Sequence, residues 1–212
     1  MSLWAIVPVK SLRRGKSRLA AVLSDEDRSA LNNDLLTRTL HCLQSVSKID
    51  QVLVISYDPE VLAKAREFGA MTVQEGRRTN INNALRRATV AAKAYNATKT
   101  LIIPADLPFI NKEEIEDFIA QEGTPPEIII SSDRRSDGTN ALFVNPIGIL
   151  EYNFGEWSFR KHIEQAEQKK INVKIKNQES LTFDLDLPED LEIFMKTSKI
   201  NRYPIQGGSR EK

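Results

Sequence analysis

Along the 212-residue chain, short apolar runs alternate with longer segments whose apolar residues recur at helical spacing. Leu3 to Val9 is such a run, and it ends in the turn-prone PVKSLRRG, which predicts a buried first strand feeding a loop. Ser24, then Asp25, Glu26 and Asp27, supply an N-cap and an acidic first turn; Leu31, Leu35, Leu36, Leu40 and Leu43 follow on one helical face. Gln51 to Ser56 reads as the second strand. Asp58 as N-cap, Pro59 in the first turn and Gly69 at the far end bound a second helix. AMTVQE predicts a third strand, NINNALRRATVAAKAY a third helix, KTLIIPADLP a fourth strand that breaks at Pro104, and NKEEIEDFIAQ a fourth helix.

Strands alternating with helices at these spacings define an α/β fold with a mostly parallel central sheet, helices on both faces, and ligands beyond the carboxyl ends of the strands. The second half is less regular. PEIIIS and NALFVN read as strands, SFRKHIEQAEQKK as a helix, NVKIK as a strand and PEDLEIFMKT as a closing helix. Residues 1–200 then make a single domain, and the polar NRYPIQGGSREK (201–212) a loosely held tail.

Composition narrows the partners. At 41% hydrophobic and 28% charged residues the chain can build one proper core. A formal net charge of +1 argues against a globally basic, nucleic-acid-holding surface. No apolar run approaches the roughly 20 residues that cross a bilayer, and the N-terminus has no basic region ahead of its short apolar run, so the expectation is a soluble, untargeted protein that does not engage membrane. The lone cysteine, Cys42, cannot form an internal disulfide and reads as a core residue; a reducing cytoplasm fits. Oligomeric state is not legible, and a homodimer is possible for a chain of this type.

Charge is local rather than global, and its densest cluster is Lys10, Arg13, Arg14, Lys16 and Arg18. Gly15-Lys16-Ser17 ends like a P-loop, but a P-loop needs glycine five residues before Gly15, where this chain has Lys10. What remains is a loop carrying Lys10, Lys16 and Arg18, which is either a solvated basic loop or a set of cations converging on a triphosphate. Asp106 follows a very apolar strand and should lie at its carboxyl end beside that loop, either as a turn former or as a carboxylate holding Mg²⁺ against phosphate. In FDLDLPEDLEIF, Glu189 and Asp190 suit a helix start, while Asp184 and Asp186 alternate on an extended segment and would share one face, with Asp186 favoured as a second metal ligand.

In that order along the chain, VPVKSLRRGKSRL, PADLP, DGTNALF, FGEWSFRKH and DLDLPEDL resemble the 2-phospho-L-lactate guanylyltransferase family of coenzyme F-420 biosynthesis, over roughly Ala5 to Leu191. The resemblance implies a nucleotidyltransferase fold similar to that of the GT-A glycosyltransferases. It also implies transfer of GMP from GTP to a small phospho-acid, 2-phospho-L-lactate or phosphoenolpyruvate, with release of pyrophosphate. Carried over by motif, Lys16 and Arg18 meet the triphosphate with Lys10 nearby, and Asp106 and Asp186 hold Mg²⁺. Thr139, Asn140, Gly155 and Ser158 line the acceptor pocket, and Asn82 and Asn83 stand near guanine unless they cap the third helix. Two positions depart from the family pattern: Gly15 where alanine is usual, and Asp137 where a first glycine is usual. The remaining readings are a cytidylyl- or molybdopterin guanylyltransferase of the same fold, or a nucleotide-binding module without catalysis.

No general base is needed, because an acceptor phosphate is already an anionic nucleophile at neutral pH. His41 reads as packed or superficial. His162 reads as a structural histidine that could approach the acceptor, and Trp157 and Phe159 as wall or core.

Overall fold

In the computed structural model, residues 2–76 and 80–198 are described. The expected tail, 201–212, lies outside them. Among the described residues seven strands form one sheet: β1 (Leu3–Pro8), β2 (Gln51–Ser56), β3 (Met71–Gln74), β4 (Lys99–Ile102), β5 (Glu127–Ser132), β6 (Thr139–Asn145) and β7 (Asn172–Ile175), in the order β3-β2-β1-β4-β6-β5-β7. All run one way except β6, which pairs antiparallel with both β4 and β5. The helices are α1 (Asp25–Ser45), α2 (Pro59–Glu67), α3 (Ile81–Ala94), α4 (Lys112–Ala120), α5 (Ser158–Gln168), the single turn α6 (Glu179–Thr182) and α7 (Pro188–Ser198), with a 3-10 turn at Ser17–Leu19.

The helices lie on both faces, as the alternation of elements predicts. Leu3, Ala5 and Val7 of β1 pack with α1, α2 and α4, while Trp4 and Ile6 pack with α3 and α5. A parallel sheet buried on both sides requires such near-continuous apolar strands. A third cluster, Leu19, Leu23, Leu31, Leu35, Leu185, Leu191 and Phe194, joins the 3-10 turn, α1 and α7, and so fixes the basic loop relative to the closing helix.

Helix ends follow the sequence closely. Ser24 accepts from the Asp27 N–H, and Asp58 from the Glu60 N–H. At α3 the cap is Asn80, which accepts from the Asn83 N–H, and neither Asn82 nor Asn83 takes that role.

The order places β1 and β4 side by side while the chain leaves β1 toward β2 and β3 on one side and continues from β4 toward β6, β5 and β7 on the other. This is a topological switch point, where open α/β sheets hold ligands beyond the carboxyl ends of the strands. The loops after β1 and after β4 flank it.

Candidate active site

The loop after β1 is held from two sides. Asp58, at the start of α2, accepts from the Ser11 hydroxyl at 2.7 Å and from the Leu12 N–H at 3.2 Å. From α1, Asn32 donates to the Leu12 carbonyl at 2.7 Å and Arg28 to the Gly15 carbonyl at 3.4 Å. The Gly15 N–H closes a turn onto the Ser11 carbonyl at 3.0 Å. A Cβ on Gly15 would lie 2.7 Å from Asn32 Nδ2 and 2.8 Å from that carbonyl, so this loop is packed for glycine where the family pattern has alanine. Gly15→Ala is expected to destabilise the protein by about 1 to 3 kcal/mol. Thermal unfolding checks this, and an unchanged Tm would contradict it.

Lys16 follows in a left-handed conformation, φ 52° and ψ 45°, which a non-glycine residue adopts at a cost of about 1 to 3 kcal/mol. That conformation turns its side chain inward, where it is 6% exposed, and sets Nζ 3.5 Å from Asp106 Oδ2. Arg18 donates to Asp186 Oδ2 at 2.6 Å near the surface. Arg13 forks onto Glu60, away from the crevice, and Lys10 and Arg14 are exposed.

The loops bearing Asp106 and Asp184 are tied by the Leu185 N–H donating to the Asp106 carbonyl at 3.0 Å. Asp184 is a carboxylate that feels Asp106. Burial, then the charge of Asp106 and more weakly that of Asp133, push the Asp184 carboxyl above its ordinary range, opposed by a hydrogen bond from Asn140. Residues 183–187 are not a strand, yet Phe183 and Leu185 are buried while Asp184 and Asp186 between and after them are half-buried, the alternation expected of an extended segment. Asp186 pairs with Arg18. Asp190 reaches back to the Asp186 and Leu187 N–H groups at 3.1 and 2.8 Å, which is the helix-start role expected of it.

Among the described residues no three His, Cys, Asp or Glu side chains form a metal-holding group. Two carboxylates suffice for Mg²⁺, which completes its shell with water and substrate oxygens. The half-buried like-charge pair Asp106 and Asp184 has the chemistry a divalent cation would relieve.

Thr139 and Asn140 begin β6 at the same edge. In the register, Ser131 faces Ala141 and Ser132 faces Thr139, so Asn140 is an extra residue, a β-bulge. Leu142 and Val144 face the α3 and α5 side, and Ala141 and Phe143 the α1 and α4 side. Unbroken alternation would send Thr139 to the α1 and α4 side. The bulge reverses this: Thr139 Oγ1 lies 3.1 Å from His162 Nδ1 on α5, while Asn140 donates to the Thr182 carbonyl and to Asp184 Oδ1 at 3.2 and 3.4 Å. Asn140 thus sits with the carboxylate pair and apart from Thr139.

The expected acceptor motifs come together through Asp137. Its Oδ1 accepts from the Trp157 N–H at 2.9 Å, a bond glycine could not supply, and its backbone carbonyl accepts from the Phe159 N–H at 3.1 Å. Gly155 has φ 122°, open to glycine alone, and its carbonyl takes the Ser158 N–H. Ser158 is buried and is the first residue of α5, whose N-cap is Trp157 at φ 60°. Trp157 is 58% exposed and so is not core. Phe159 packs partly buried on the α3 and α5 side. Asn82 exchanges two hydrogen bonds with the Phe154 backbone, at 2.7 and 3.1 Å, joining α3 to this loop. Asn83 is exposed.

His162 is fully buried. Burial lowers its pKa from 6.5 to about 4, so the folded protein keeps it neutral while the unfolded chain takes up a proton below about 6.5. Stability is therefore present above that pH and is lost as pH falls toward 4, by about 3 kcal/mol in all. Denaturant unfolding at pH 7 and pH 4.5 should show a steeper loss for wild type than for His162→Gln; parallel losses would contradict the assignment. His41 is exposed, edge-on to Phe68, and Cys42 is half-buried, its thiol pushed up to about 11.

Elsewhere, a cavity of about 470 Å³ opens between α4, α6 and α7, but none of the sequence candidates lines it. Two of its charged groups are engaged in packing: Glu114 accepts from the Ser180 N–H and hydroxyl, and Arg134 pairs with Asp190.

Solved nucleotidyl transferases have this fold. A nucleotidyl transferase from Methanothermobacter thermautotroptrophicus shares this fold with a TM-score of 0.64 at 12% identity, covering 92% of this chain and 99% of that one. A family model described as guanylyl transferase CofC like matches residues 3–203. The phosphoenolpyruvate guanylyltransferase of Rubrobacter xylanophilus is 40% identical over 192 residues, 90% of this chain and 92% of its own. The 2-phospho-L-lactate guanylyltransferase of Methanocaldococcus vulcanius is 35% identical over 196 residues, 92% and 85% respectively. The chain belongs to the CofC-like guanylyl transferase family.

Proposed function

We propose that this protein transfers GMP from GTP to the phosphate of a small phospho-acid, phosphoenolpyruvate or 2-phospho-L-lactate, in the route to coenzyme F-420. The observation that carries the reading is Lys16 brought to Asp106 across the β1/β4 switch point, with Asp184 beside them, in a chain of this family.

An acceptor phosphate oxygen attacks the α-phosphorus of GTP in line, the bond to the β-bridging oxygen breaks, and pyrophosphate leaves with that electron pair. Lys16 and Arg18 exchange their carboxylate partners for triphosphate oxygens, with Lys10 at the outer edge. Asp106 and Asp184 are the residues that would hold Mg²⁺, and Asp186 positions Arg18. When bound, the ion supplies charge stabilisation on the phosphate oxygens. Asn140 orients Asp184. Thr139, Gly155 and Ser158 receive the acid, and Asn83 is the remaining side-chain candidate for guanine, since the Asn82 amide is engaged with Phe154. Both ring nitrogens of His162 are occupied, which agrees with a reaction that uses no general base.

The test is a panel of GTP, ATP, CTP and UTP against phosphoenolpyruvate, 2-phospho-L-lactate and 3-phospho-D-glycerate with Mg²⁺, read as pyrophosphate release. GTP with one acid should dominate. Release with CTP in preference to GTP would favour a cytidylyltransferase. Nucleotide binding without release would favour a binding module.

A further inference from the structure

His162 lies outside the chemistry just described, yet it is buried and touches Thr139. Its Nε2 lies 3.0 Å from the Asn153 backbone nitrogen, which can only donate. Nε2 is therefore the acceptor nitrogen, and a neutral ring carries its proton on Nδ1. That proton points at Thr139 Oγ1, 3.1 Å away. One lone pair of the hydroxyl is thus filled by the ring, and the hydroxyl proton must point elsewhere.

We propose that His162 is a positioning residue that fixes the Thr139 hydroxyl as a hydrogen-bond donor to an anionic oxygen of the acceptor acid. This rests on the reading of Thr139 as an acceptor contact. The depressed pKa of His162 is consistent with it, since a ring kept neutral holds one tautomer across the neutral range. Two features make the arrangement specific. The bulge at Asn140 turns Thr139 toward α5, and the same ring holds the Asn153 N–H in the loop leading to Gly155. A single side chain therefore aligns both the hydroxyl and the loop that meet the acid. A group without an acceptor lone pair in that place would leave the hydroxyl donor unpaired.

The wild-type tautomer is read directly from the ring nitrogens of ¹⁵N-labelled protein, in which the only other histidine is His41. Protonated Nδ1 is expected; protonated Nε2 would overturn the proposal. Calorimetric titration with phosphoenolpyruvate and with 2-phospho-L-lactate then tests the consequence. His162→Gln places its amide near the Nε2 position and leaves Thr139 without its donor, so acid affinity should fall about tenfold, with GTP affinity unchanged. His162→Asn, which keeps a donor near the Nδ1 position, should recover part of that loss. Thr139→Val should cause a similar loss and add little on top of His162→Gln, because both remove one hydrogen bond. Fully additive losses, or equal losses for Gln and Asn, would refute the coupling. If the His162 variants do not fold, the tautomer together with Thr139→Ser against Thr139→Val decides: Val as tight as Ser would refute it. Acid binding by wild type without GMP transfer would refute the proposed function alone, whereas GMP transfer with affinities indifferent to Thr139 and His162 would refute this inference alone.

Discussion

Asp106→Asn is expected to cut GMP transfer by about a thousandfold or more, with Tm and circular dichroism close to wild type. The side chain stands just beyond β4, its backbone carbonyl holds the Leu185 N–H, and its carboxylate faces the Lys16 ammonium. Asparagine keeps the volume and the backbone contact and removes only the charge. Phosphoryl transfer asks a protein chiefly for charge and position, so a loss of charge at this point falls on the transition state. Single-turnover rates at saturating GTP separate this from a binding defect. Turnover near the wild-type rate would contradict the role given to Asp106, and the binding-module reading would then lead.

The second large effect separates Asp184 from Asp186. Asp184→Asn is expected to lower turnover by about a hundredfold or more and to raise the Mg²⁺ concentration needed for half-maximal rate. Asp186→Asn should cost about tenfold or less, because it loses only a pair with a well-exposed arginine. Stability should move the opposite way at Asp184. Its carboxyl is held above the ordinary range by burial and then by Asp106, so its charge opposes folding at neutral pH. The uncharged variant should therefore melt at or above the wild-type temperature without Mg²⁺. Parallel kinetics and Mg²⁺ titrations of the two variants give the answer, and a larger defect for Asp186→Asn would return the second ligand role to that residue.

Much of the first half was legible because its signals are local. Ser24, Asp58 and Gly69 mark helix ends by their own chemistry, and β1 and β2 are apolar enough to require burial on both faces. Asp106 was placed correctly beside the basic loop because a residue just after an apolar parallel strand must lie at the carboxyl edge. What was not legible is long-range. Nothing in NALFVN encodes that β6 runs against its neighbours or inserts between β4 and β5, since strand direction is set by connections. The bulge at Asn140 exists only in pairing with Ser131 and Ser132, so the opposite facing of Thr139 and Asn140 could not be read from alternation. Asn82 gave no signal for its partner, 72 residues away at Phe154.

The central claim is that the chain moves the guanylyl group itself. It is tested most directly by running the reaction in parallel with GTP labelled at the α-phosphorus and GTP labelled at the γ-phosphorus, each with Mg²⁺ and the acid that responds best. The account predicts that the α-label enters a diphosphate-linked guanosine adduct of the acid and the γ-label leaves in pyrophosphate. Release of the γ-label as inorganic phosphate or its transfer to the acid, with the α-label remaining in GDP, would contradict it.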